Sequence, residues 1–92
     1  MKYMITWKIL PGSYKAAVEA FLAGGAPVPA GMTSLGRWHV PGSNSGWHLV
    51  EGSDAGAVAQ HAAEWAQLCE IGVWPVIDDA EAAAAISKVY GK

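Results

Sequence analysis

The chemistry open to this chain is concentrated in a few side chains: His39, His48 and His61, the arginine Arg37, the lone Cys69, and the tryptophans Trp7, Trp38, Trp47, Trp65 and Trp74. Two of the imidazoles belong to a repeated dipeptide, Trp38-His39 and Trp47-His48, on either side of a turn-rich PGSNS. An imidazole changes charge near neutral pH. A histidine walled by indoles can therefore act as acid, base or ligand toward a substrate held on aromatic surfaces. On that reading His39 and His48 are the candidate catalytic groups, and Trp7, Arg37, Trp47, His61 and Trp65 the candidate substrate-binding ones. The same residues also suit a purely structural role, since aromatic cross-strand pairs stabilise antiparallel sheets without any ligand.

Other chemistries fit less well. His61 and Glu64 are three residues apart, but no Cys/His cluster and no HExxH spacing accompanies them, so neither a metal nor another cofactor is expected. Cys69 extends the apolar stripe of Val58, Ala62 and Trp65, where a thiol behaves as a small hydrophobe. Ser43 and Ser45 lie in a loop and not in a G-x-S-x-G elbow, and the glycines follow turn logic and not a phosphate loop. A net charge of −2 with no Lys/Arg cluster argues against nucleic acid. No apolar run approaches the roughly 18 residues of a membrane span. The opening MKYMITW is too short and too polar in alternation for a signal peptide, so with one cysteine the expected compartment is the cytoplasm.

The elements that must position these groups are readable from periodicity. In KYMITWKIL (2–10) Tyr3, Ile5, Trp7 and Ile9 alternate onto one face of a strand. Pro11-Gly12 ends it. Ser13 is then a candidate cap for a helix striped by Tyr14, Ala17, Val18, Phe21 and Leu22 and closed by Gly24-Gly25. The segment 26–31, with Pro27 and Pro29, reads as a rigid extended connection. Residues 32–40 and 46–51 form a hairpin. Ser53 or Asp54 caps a second helix, IGVWPVI supplies a strand whose Pro75 calls for an edge position, and Asp78-Asp79-Ala80-Glu81 resembles a capping box ahead of an alanine-rich helix. Trp7 and Trp74, on strands that should be neighbours, are expected to pack together.

This order is the split βαβ plan: an α+β, ferredoxin-like domain spanning 1–92, sheet order 4-1-3-2, with one added C-terminal helix. The chain is 52% hydrophobic and 15% charged over 92 residues. That is more apolar material than a monomer this small readily hides, so a homodimer is the expected assembly. Within the hairpin, centring the loop on Ser43 sets Trp38 opposite His48 and His39 opposite Trp47. Arg37, His39, Trp47, Leu49 and Glu51 then share a face, with Arg37 and Glu51 able to pair. A one-residue slip sets Trp38 against Trp47 instead.

Three stretches, MITWKILPGS, LGRWHVPGSNSGWHLVEGSD and VWPVIDDAEAAAA, together resemble small proteins grouped as domain-of-unknown-function family 3303, and more broadly the dimeric α+β barrel superfamily. The resemblance implies a ferredoxin-like protomer whose open sheet packs on a second copy, with a pocket between sheet and helices. Superfamily relatives include cofactor-free monooxygenases, muconolactone isomerases and haem-degrading enzymes that use a helix-borne histidine; nothing here besides His61 and the tryptophans supports the haem chemistry. The close family brings no catalytic residues to carry over. Two readings follow: a Trp/His-lined pocket for a small hydrophobic or aromatic molecule, with cofactor-independent monooxygenase or isomerase chemistry, or a non-catalytic interaction module whose aromatics fill core and dimer interface.

Overall fold

A computed structural model describes residues 1–91. Strand β1 (Lys2–Ile9) turns Ile5 into the core, and at Pro11-Gly12 the chain enters helix α1 (Tyr14–Gly24). Ser13 occupies the cap position, but its side chain makes no capping bond. The C-terminal stop is firmer: Gly25 is left-handed at φ 71° and its N–H donates to Phe21 O at 2.6 Å. After the Pro27-Pro29 connection come β2 (Met32–His39) and β3 (Ser45–Gly52), then α2 (Ala55–Trp65). Asp54 is the cap of α2, its Oδ1 accepting the Gly56 N–H at 2.8 Å. β4 (Cys69–Val76) and α3 (Asp79–Tyr90) complete the described chain. The expected capping box is present at α3: Asp78 Oδ1 accepts the Glu81 N–H, and Glu81 Oε1 accepts the Asp78 N–H.

The four strands make one antiparallel sheet in the order β2-β3-β1-β4, the ferredoxin-like α+β layout read from the other edge. Pro75 lies on β4, an edge strand, where a missing ladder donor costs least. Ile5, Met32, Val50, Ala57 and Val58 form the core between sheet and helices, with Tyr3, Val28 and Ile71 packed against it.

Three expectations are corrected. Cys69 is not on the second helix: α2 ends at Trp65, a turn follows, and Cys69 opens β4 opposite Ile9, because Leu10 N–H bonds Leu68 O and draws this segment into the sheet. Its thiol is buried, and burial pushes its pKa up. The hairpin register is the slipped one, with Trp38 opposite Trp47, Arg37 opposite His48 and His39 opposite Gly46. Asn44 causes the slip. Its carbonyl accepts the Ile9 N–H at 2.8 Å and its side chain donates to Ile9 O at 3.2 Å, so it is tied to β1 and the hairpin closes between Val40 and Ser45. Glu51 consequently faces Thr33 and Lys2, and the Arg37–Glu51 pair does not form. Finally, Trp7 opposes Ile71 on the helix-covered face while Trp74 opposes Met4 on the other, so these two indoles are separated by the sheet.

A β-bulge between Ser34 and Gly36 adds one residue to β2 and shifts its alternation. Ser34 and Arg37, three residues apart, therefore both face the helices. The opposite face carries Trp38 (55% exposed), Trp47 (47%) and Trp74 (59%) with Leu49 and Met4 between them, and these indoles are left open by the helices of the described residues. Helix α3 buries none of its residues, and Ile86, Val89 and Tyr90 stand exposed along it. No helix among the described residues is long and apolar enough to cross a membrane.

Candidate ligand-binding site

The inner sheet face, α1 and α2 border a half-open pocket of about 150 Å³. Ile5, Trp7 and Ile71 form its floor, Val18 and Phe21 of α1 one wall, and Ala62 and Trp65 of α2 another. An apolar cavity of this size holds one benzene-sized ring.

Polar groups converge at one end. His48 is 1% exposed on β3, and opposite it on β2 stands Arg37. Arg37 Nη2 donates to His48 Nδ1 at 3.2 Å, and His48 Nε2 lies 2.8 Å from Ser34 Oγ. A guanidinium only donates, so Nδ1 must be the bare nitrogen; Nε2 then carries the proton and donates to Ser34. Burial, first, and then the Arg37 and His61 charges push the His48 pKa down to about 4. At neutral pH this ring is uncharged, with both nitrogens engaged inside the protein. Its work is to orient Arg37.

The same guanidinium holds the end of α1. Nη1 donates to Gly25 O at 3.1 Å and Nη2 to Ala26 O at 2.6 Å, and the group lies 5.9 Å from the Phe21 ring centroid. Ala26 has φ 47°, a left-handed conformation that costs an alanine roughly 1–2 kcal/mol. The Arg37 bonds offset that strain. Burial lowers the pKa of Arg37, and no carboxylate among the described residues lies within ion-pair distance of it.

His61, 5% exposed on α2, meets His48 edge to face at 5.6 Å between ring centroids. Its Nδ1 is 3.5 Å from Glu64 Oε1, close enough for attraction but without hydrogen-bond geometry, and it is left unpartnered. Burial and Arg37 lower its pKa, and Glu64 opposes them. His39 leans its ring on Trp7 at 5.2 Å and Phe21 at 5.3 Å, at the pocket's edge.

Of the candidate residues, Trp7, Arg37, His39, His48, His61 and Trp65 are brought together on this pocket. Trp47 is not: the slipped register turns it to the open face beside Trp38. Sequence reasoning missed Ser34, whose place beneath His48 depends on the bulge, and the Gly25-Ala26 carbonyls, whose only trace was the Gly-Gly helix stop. No group of three His, Cys, Asp or Glu side chains able to hold a metal ion forms among the described residues.

A family model described as a domain of unknown function (DUF3303) matches residues 1–90. No curated protein matches the chain.

Proposed function

We propose, for a chain that belongs to the domain-of-unknown-function family DUF3303, that it binds one small aromatic or otherwise hydrophobic molecule between sheet and helices, as a cytoplasmic homodimer. The observation that carries this reading is the mainly apolar pocket of about 150 Å³, lined at one end by the buried rings of His48 and His61. A core built only for stability rarely leaves a ring-sized void. The chemistry that suits the pocket is proton transfer of the isomerase or cofactor-free oxygenation kind. His39 is the candidate acid or base there, since His48 is committed to Arg37.

Thermal melting with single-ring and multi-ring aromatics tests the binding. At ten times Kd a ligand stabilises by about 1.4 kcal/mol, roughly 6–10 °C for so short a chain. Single-ring compounds are expected to give that rise and to quench the tryptophan fluorescence. Ala62→Phe, which fills the cavity, is expected to abolish both responses. Silence across a broad panel would instead favour a non-catalytic interaction module.

The dimer rests on area and shape. The chain exposes 6137 Å², about 1,000 Å² more than the roughly 5,100 Å² usual for a folded monomer of this mass. The radius of gyration, 15.6 Å, compares with about 12 Å for a compact chain of this length. The excess is comparable to the ≈ 800 Å² each partner contributes to a standard interface, and the exposed apolar side chains of the tryptophan face and of α3 offer surface for one. Sedimentation equilibrium at micromolar concentration is expected to give twice the 9.6 kDa chain mass. Trp47→Glu, which places one charge from each protomer in the contact, should weaken association about 100-fold or more. A wild-type protein that remains a single chain at high concentration would sink this part of the reading.

A further inference from the structure

The pocket contains a charge that an apolar ligand would leave unmatched. Arg37 is half-buried on the inner face, and every acceptor it meets is neutral: Gly25 O, Ala26 O and His48 Nδ1. Those bonds use three of the five guanidinium donors, leaving two without an acceptor among the described residues. A cation withdrawn from water beside apolar walls is ordinarily matched by a carboxylate, and among the described residues none lies within ion-pair distance. The side chain is nevertheless held firmly, from one side by the two carbonyls and from the other by His48, itself braced on Ser34. Its charge is fixed in place ahead of any partner.

From this geometry we propose that the ligand is a single-ring aromatic carboxylate, its ring against Trp7, Phe21 and Trp65 and its carboxylate on Arg37. The proposal rests on the pocket reading above and adds the charge of the occupant. Arg37 is suited to this task because its charge is permanent and its face tolerates an aromatic neighbour such as Phe21; with both Nη2 donors taken, a carboxylate oxygen is met by the remaining Nη1 N–H or by Nε–H in a charge-assisted bond. The cavity's size favours a compact occupant, since about 150 Å³ is room for one ring.

Calorimetric titration of the full chain at pH 7.5 with benzoate, benzamide and benzylamine tests this, because the three share a ring and differ in charge. Benzoate is expected to bind 10- to 100-fold tighter than benzamide, and benzylamine most weakly. Arg37→Gln should bring benzoate down to the benzamide level while changing benzamide less than about threefold. The wild-type comparison needs no variant, so it stands even if loss of the Gly25 and Ala26 bonds unfolds Arg37→Gln. Equal binding of benzoate and benzamide would overturn the carboxylate assignment and leave the pocket intact. Failure of all three, together with neutral single-ring compounds, would overturn the pocket reading and this inference with it.

Discussion

Gly46→Ala is expected to lower the unfolding free energy by about 3 kcal/mol or more, although it adds one carbon. Gly46 sits on the inner face of β3, opposite His39 on one side and Trp7 on the other. A β-carbon there would lie 2.3 Å from the Trp38 carbonyl oxygen and 2.3 Å from Trp7 Cζ2. The carbonyl belongs to the backbone of β2 and cannot withdraw without opening the β2–β3 ladder. The indole is wedged over the glycine as part of the pocket floor. The need for glycine is thus close approach and not a special dihedral. Gly36 is the control: a β-carbon there meets the Trp38 ring at 2.4 Å, but that ring is on the open face and is free to swing aside in the isolated protomer. Denaturant titration of the two variants, under conditions where the protein is monomeric, should therefore give a large loss for Gly46→Ala and a loss under about 1 kcal/mol for Gly36→Ala. Equal losses would mean that the indole, and not the β2 backbone, decides the matter.

The contrast between these glycines marks where sequence reasoning reaches and where it stops. Local patterns were enough for the element order and for the inward row Tyr3, Ile5, Trp7 and Ile9, because strand alternation is a property of neighbouring residues. Pro75 pointed to an edge, and Asp78 with Glu81 to a capped helix, for equally local reasons. His61 and Trp65 were legible as one face of α2, and both reach the pocket. The hairpin register was not legible. It depends on Asn44 bonding Ile9, thirty-five residues away in sequence, and on the bulge at Leu35 that reverses which side of β2 faces in. Those two features turn Trp47 outward and bring Ser34 beneath His48. Cys69 misled because the helical stripe of α2 runs without a break in spacing into the apolar start of β4; only the pairing of Cys69 with Ile9 separates them. The environment of Arg37 was invisible for a different reason: two of its three acceptors are main-chain carbonyls, which every residue possesses.

Acidifying from pH 7 to pH 5 is expected to destabilise the folded chain by roughly 2 kcal/mol through His48 alone. Its pKa falls from an ordinary 6.5 to about 4 on folding. The unfolded chain therefore takes up the proton first, as pH drops through 6.5, while the folded chain resists until near 4. The stability contributed by the neutral buried ring is fully present above pH 6.5 and declines through the interval below it, reaching a total loss of about 3 kcal/mol near pH 4. The cause is burial first and charge second: a ring 1% exposed resists becoming an imidazolium, and a proton on Nδ1 would in addition face the Arg37 guanidinium 3.2 Å away. His61 adds a loss of the same sign, since burial lowers its pKa as well. Stopping at pH 5 keeps the measurement above the titration of Asp78, whose pKa is held down by its bond from the Glu81 N–H and by Lys2. His48→Gln is the discriminating variant, because an amide retains one donor for Ser34 and one acceptor for Arg37 yet cannot titrate. Its stability should fall distinctly less than the wild type's between pH 7 and 5, with His61 supplying the remainder. Parallel profiles for the two proteins would show that His48 is not held neutral by its burial beside the guanidinium, and the fixed orientation of Arg37 toward the pocket would lose its support.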